Sequence, residues 1–204
     1  MNRHVFGDYV INAPAGSRMD ILSKELKKEF PKLKMAHKRT IWYHRWVHWV
    51  FFVLTFGKLK TYISAFTTTT KNKICWGDGH HERIQRCVEL DRVWACLQHE
   101  RVHLRQFARI GMFLMTVIWL IPPILFCFGR ALYIEKPAYK RSLWAKHELG
   151  GDHWEWAKSE QYKKHWVGQF VGPNYGWMWV IKSQVERWYD EEVARLEGGT
   201  HGSA

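Results

Sequence analysis

The sequence predicts an α+β fold, mostly helical, with a short β-sheet just before a long helix. Three observations carry that expectation. Between Leu90 and Ile110, Val93, Trp94, Leu97, Val102, Leu104, Phe107 and Ala108 form a stripe close to the helical period, with no Gly or Pro before Gly111; this is the pattern of an amphipathic helix. Upstream, Ala65–Thr70 and Lys73–Trp76 are rich in β-branched and aromatic residues, which suits paired strands. Downstream, Asp152–Phe170 and Tyr175–Glu197 read as helices separated by Val171-Gly172-Pro173-Asn174, a turn punctuated by glycine and proline.

The other elements follow in order. Ser17-Arg18-Met19-Asp20 can cap a first helix, with Ile21, Leu22, Leu26 and Phe30 on one side, Lys24, Lys27 and Lys28 exposed, and Pro31 ending it. The run Trp46–Phe56 is too short to span a bilayer and suits a buried helix or an interfacial anchor. Ile110–Gly129 holds no charge over its twenty residues between Arg109 and Arg130, the length of a membrane span. Pro122-Pro123 near its midpoint favours a helical hairpin instead. The expected organisation is a basic N-terminal helical region over 1–61, one folded domain over 62–197 and a disordered tail over 198–204.

Chemistry enters at His99-Glu100-Arg101-Val102-His103, an H-E-x-x-H run inside the predicted long helix. Residues four apart share a helix face, so two imidazoles can grip one zinc ion while Glu100 serves as general base. A catalytic zinc takes a third protein ligand. Downstream, Glu135-Lys136-Pro137-Ala138 reads E-x-x-A, and Glu148 and His147 are further residues of ligand type on the same stretch. Pro137 places Glu135 at a helix start or at a kink. Arg101, Arg105 and Gln106 read as structural or rim residues. His80 and His81, before Glu82 in a Gly-Asp-Gly loop, read as solvent-exposed, with a second metal as the alternative.

The order of strand, H-E-x-x-H helix and E-x-x-A helix over about residues 62–150 resembles the gluzincin class of zinc metallopeptidases, and looks like the small uncharacterised peptidases of bacteria and phages. The resemblance implies a zincin-like domain over 62–197, with His99, His103 and Glu135 on Zn2+, Glu100 as the catalytic base and a peptide or protein as substrate. It also implies an edge strand that holds an extended substrate, and a C-terminal Tyr or His, here Tyr175 or His165, that donates to the reaction's oxyanion.

Composition bounds the rest. The net charge of +12 favours polyanions, so an anionic membrane face and nucleic acid stay open as partners. The alternative function is a basic membrane-associated or nucleic-acid-binding protein with an accidental H-E-x-x-H. Cys75, Cys87, Cys96 and Cys127 form no C-x-x-C pair, which argues against a zinc ribbon and reads as reduced thiols. Asn2–Asp20 is polar, without a signal-peptide core. The expected location is therefore cytoplasmic, peripheral or monotopic at a membrane. No glycine-rich phosphate loop, nucleophile elbow or internal repeat is evident.

Overall fold

The chain is α+β and mostly helical. The structure, a computed structural model, describes residues 1–54, 62–65, 67–120, 130–172, 179 and 181–199. It divides into two compact units, Met1–Met112 and Phe113–Ala204.

The first unit opens with a hairpin, β1 (Asn2–Phe6) and β2 (Tyr9–Ala13), paired antiparallel with Phe6 opposite Tyr9. Gly7 turns the loop at φ +65°, and a Cβ there would come within 3.1 Å of Lys34 Cβ, so the position suits glycine on both counts. Alternation turns Phe6, Tyr9, Ile11 and Ala13 inward. Helix α1 (Arg18–Glu29) follows, its first turn held by Ser17 Oγ accepting from the Asp20 amide at 3.3 Å. Met19, Leu22 and Leu26 are buried; Ile21 turns outward, 50% exposed. Asp20 is fully buried and ties the hairpin to α1, accepting from Asn2, the Gly16 amide and Lys24 and lying 2.7 Å from His4 Nε2. These donors, led by Lys24, hold its carboxyl well below the usual carboxylate range.

A three-stranded sheet forms the centre of this unit. Strand β3 (Lys34–His37) runs parallel to β5 (Lys73–Trp76), and β4 (Thr68–Thr70) runs antiparallel to β5, in the order β3-β5-β4. Residues before and after position 61 therefore share one sheet. Between β3 and β4 lie a 3-10 turn (Lys38–Thr40), α2 (Trp42–Leu54) and the short α3 (Tyr62–Ala65). After β5 come α4 (Asp78–Arg86) and the long α5 (Leu90–Ile110). The Gly-Asp-Gly segment is thus a helix start, not a loop: Gly77 caps α4 and Asp78 sits in its first turn.

Gly111, at φ +88°, ends α5 and separates it from α6 (Met112–Leu120). Nine residues of helix reach about 14 Å, less than half a bilayer core. Among the described residues no helix is long and apolar enough to cross a membrane. Pro122-Pro123, Cys127 and Gly129 lie outside the described residues.

The second unit continues through a π-helical turn (Arg130–Glu135) into α7 (Lys136–Leu149), α8 (Gly151–Lys158), α9 (Glu160–Val171) and α10 (Lys182–Glu197). The helix expected over Asp152–Phe170 breaks at Ser159, whose ψ of 148° is extended and whose Oγ accepts from the Tyr162 amide at 3.2 Å to cap α9. The core is aromatic. Trp166 and Phe170 of α9 are buried, with ring centroids 4.9 Å apart, and Tyr139 of α7 meets Trp166 edge-on at 5.7 Å. Glu192, buried on α10, is satisfied by Lys140 at 2.9 Å and Arg195 at 2.5 Å.

Candidate metal centre

Helix α5 builds the site through its register. Val93, Leu97, Glu100, Leu104 and Phe107 recur at alternating spacings of four and three, and all five are buried. Glu100 thus occupies a core position between two fully buried leucines, at 4% exposure. A carboxylate there is costly unless it is bonded. Thr69 of the edge strand β4 supplies one bond, its Oγ1 donating to Glu100 Oε2 at 2.6 Å. Strand alternation makes this fit: Thr69 is buried while Thr68 and Thr70 are half-buried.

His99 and His103 lie one position round the helix from the buried stripe, both half-buried. Their Nε2 atoms are 3.1 Å apart, with the rings nearly perpendicular. Two imidazole nitrogens on one tetrahedral zinc, with bonds of about 2.0–2.1 Å, lie about 3.3 Å apart. The pair fits a shared ion without a change of helix geometry. Gln106, one turn on, completes the arrangement: its Oε1 is 2.9 Å from His103 Nδ1. With Nδ1–H donating there, the Nε2 lone pair of His103 is the one turned toward His99, the orienting contact that a metal-binding histidine requires.

The opposite side of α5 holds the helix in place. Arg101 donates to Glu25 at 2.6 Å and to Glu29 at 2.8 Å, and Arg105 donates to Glu29 at 2.5 Å, tying α5 to α1. Burial pushes the Glu29 carboxyl up, but the two guanidiniums outweigh it and its pKa falls. Both arginines are structural, as expected; Gln106 is more than a rim residue, because it orients a candidate ligand.

Around Glu100 the same unit buries a polar group of residues that the sequence does not announce. Lys38 is fully buried, and its ammonium pKa falls to about 7 because burial outweighs the opposing charges of Cys75 and Glu100. Burial also carries the Cys75 thiol up to about 11 and the Tyr43 hydroxyl up to about 12, the two hydrogen-bonding one another. His44 is pushed down to about 4, by burial first and then by the charges of Lys38 and Lys73.

Glu135 closes the π-helical turn, a feature common at functional sites, and stands at the head of α7 with 1% exposure. Pro137 lies just after the π-helical turn runs on into α7, at a junction where a proline, having no N–H to give the preceding turn, is tolerated because the helix changes its hydrogen-bond pattern. Of the two placements expected for Glu135, the start of a separate helix is not what is found: Glu135 is itself right-handed helical, at φ −81° and ψ −43°, and sits at the junction of the π-helical turn and α7. His147 and Glu148 stand at the other end of α7, about 18 Å along its axis from Glu135, and His147 meets Trp154 edge-on at 4.9 Å. Tyr175 lies outside the described residues. His165 lies on α9 near Tyr162, ring centroids 6.2 Å apart.

His80, His81 and Glu82 do not converge. His81 stacks on His37 at 4.1 Å and hydrogen-bonds Tyr9; His80 lies against Trp76; Glu82 pairs with Arg86 at 3.1 Å. Cys75, Cys87 and Cys96 form no disulfide, and Cys96 Sγ lies 3.8 Å from Thr67 Oγ1. Neither the protein-family models, the curated proteins nor the solved structures contain a match to the chain.

Proposed function

We propose that the chain is a zinc-dependent metallopeptidase of the gluzincin kind with a zincin-like domain, and that His99, His103 and Glu135 each give one ligand atom to the ion. The observation that carries the reading is the imidazole pair on α5, with Nε2 atoms 3.1 Å apart and His103 oriented by Gln106. Zinc bound there supplies Lewis acidity, polarising a scissile carbonyl and making water a better nucleophile.

The chain's own residues supply the proton chemistry. Glu100 takes the proton from the attacking water and passes it to the leaving amine. Thr69 donates to Oε2 at 2.6 Å and so helps to hold the carboxylate in place. Strand β4, at the sheet edge and antiparallel to β5, is the proposed rail for an extended peptide, which adds along it by backbone hydrogen bonds. Tyr175 remains the proposed oxyanion donor.

The test is zinc content by elemental analysis of the wild type, His103→Ala, Glu135→Ala and Glu100→Gln, alongside cleavage of a fluorogenic peptide library. The reading expects one zinc per chain, lost in His103→Ala and reduced in Glu135→Ala. Glu100→Gln is expected to keep the metal and lose cleavage. A folded wild type that takes up no zinc would end the proposal.

A further inference from the structure

Helix α2 is turned inside out. His44 is buried at 2% exposure and Tyr43, Val47 and His48 are half-buried, while Trp42, Trp46 and Trp49 are 77%, 64% and 64% exposed. Phe52 and Val53 continue the outer face at 40% and 51%. The spacing of Trp42, Trp46, Trp49 and Val53 is four, three, four, so these side chains form one continuous stripe. A lone exposed tryptophan needs no explanation, but a contiguous apolar stripe marks a surface with a partner. The inward histidines explain the orientation locally, because the polar group around Lys38, Tyr43 and Cys75 receives His44 and forces the indoles out.

We infer that this face of α2 is an in-plane anchor for an anionic lipid bilayer. Thirteen residues reach about 20 Å, too little to span the hydrocarbon but suited to lying in the interface. Indole is the side chain most at home there, with an apolar body and an N–H for the headgroup layer. Charge favours the same partner. Residues 30–77 contain nine Lys or Arg and no Asp or Glu; Lys38 is buried and Arg39 pairs with Asp78, which leaves seven others, of which Arg45 sits within the exposed face. An anionic leaflet attracts such a segment. A second copy of a chain carrying +12 is repelled by it. Nucleic acid would demand a row of cations on the contacting face, where this face offers one. The inference stands apart from the peptidase reading, since it needs neither metal nor cleavage.

The experiment is flotation of the full chain with vesicles of phosphatidylcholine alone and with added phosphatidylglycerol, for the wild type, Trp46→Ser/Trp49→Ser and Trp156→Ser. Trp156 is an exposed indole on α8 and controls for general stickiness. The wild type and Trp156→Ser should float with the anionic vesicles, less with the neutral ones, and less as salt rises; the double variant should bind about tenfold more weakly. Acyl-chain-brominated lipid should quench wild-type tryptophan emission more than that of the double variant. Equal flotation of the double variant, or no flotation of the wild type, overturns the inference. So does a vesicle-independent dimer that the double substitution dissolves, which would assign the stripe to a second copy.

Discussion

Helices α5 and α2 belong to the same unit and follow opposite rules. Helix α5 buries Leu97 and Leu104 and admits one carboxylate, Glu100, into the stripe between them, where Thr69 bonds it. Helix α2 buries His44 and exposes its tryptophans. In α5 the inward face is the hydrophobic one, and the exception sits where chemistry is proposed. In α2 the inward face is set by a polar group waiting beneath it. Apolar burial drives folding in proportion to area removed from water, so a helix that forgoes it signals another partner for that area.

The contrast can be broken in four ways, from the largest expected effect down. Glu100→Gln should lower peptide cleavage by about 10²–10⁴-fold with zinc content unchanged, measured on purified protein; cleavage that survives would leave Glu100 a structural acid. Leu97→Ala, inside the α5 stripe, should destabilise by about 2–5 kcal/mol in denaturant titration. The matched change on α2, Trp46→Ser, should stay within about 0.5 kcal/mol; comparable losses at both sites would mean that α2 is packed as tightly as α5.

The third concerns pH. His44 and His80 both have folded values near 4 against an ordinary 6.5, in each case because burial disfavours the charged form. The unfolded chain then takes up protons first as pH falls, so the stability they contribute is full above pH 6.5 and drains away toward pH 4. Denaturation at a series of pH values should show this slope, and His44→Gln should flatten it; an unchanged slope would place His44 in contact with water. The smallest effect is at Thr69. Thr69→Val removes a donor from a buried carboxylate and should cost about 1–3 kcal/mol, with Thr69→Ser recovering most of the loss. A neutral Thr69→Val would show that the bond does not hold Glu100.

Local rules made much of the site legible. His99 and His103 share a face because a helix turns by a fixed angle per residue, and the same geometry carries Glu100 onto the neighbouring stripe. Gln106 could have been read as an orienting residue from its i+3 spacing to His103. The break at Ser159 was likewise signalled by a good N-cap residue inside a helical stretch. Strands β1, β2 and β3 were not anticipated. They are short, and β3 is completed by β5 from far along the chain.

What the order of residues settles unaided is local: the helical register of α5, the cap of α1 and the irregular junction that Pro137 marks after Glu135. Periodicity, capping and proline geometry act over a few residues and need no distant partner. The direction in which each helix faces, the bond from Thr69 to Glu100 and the burial of Lys38 come from residues tens of positions apart in sequence. Those depend on which surfaces meet, and it is the packing of the sheet against α5 that gives the carboxylate of a five-residue motif its buried partner.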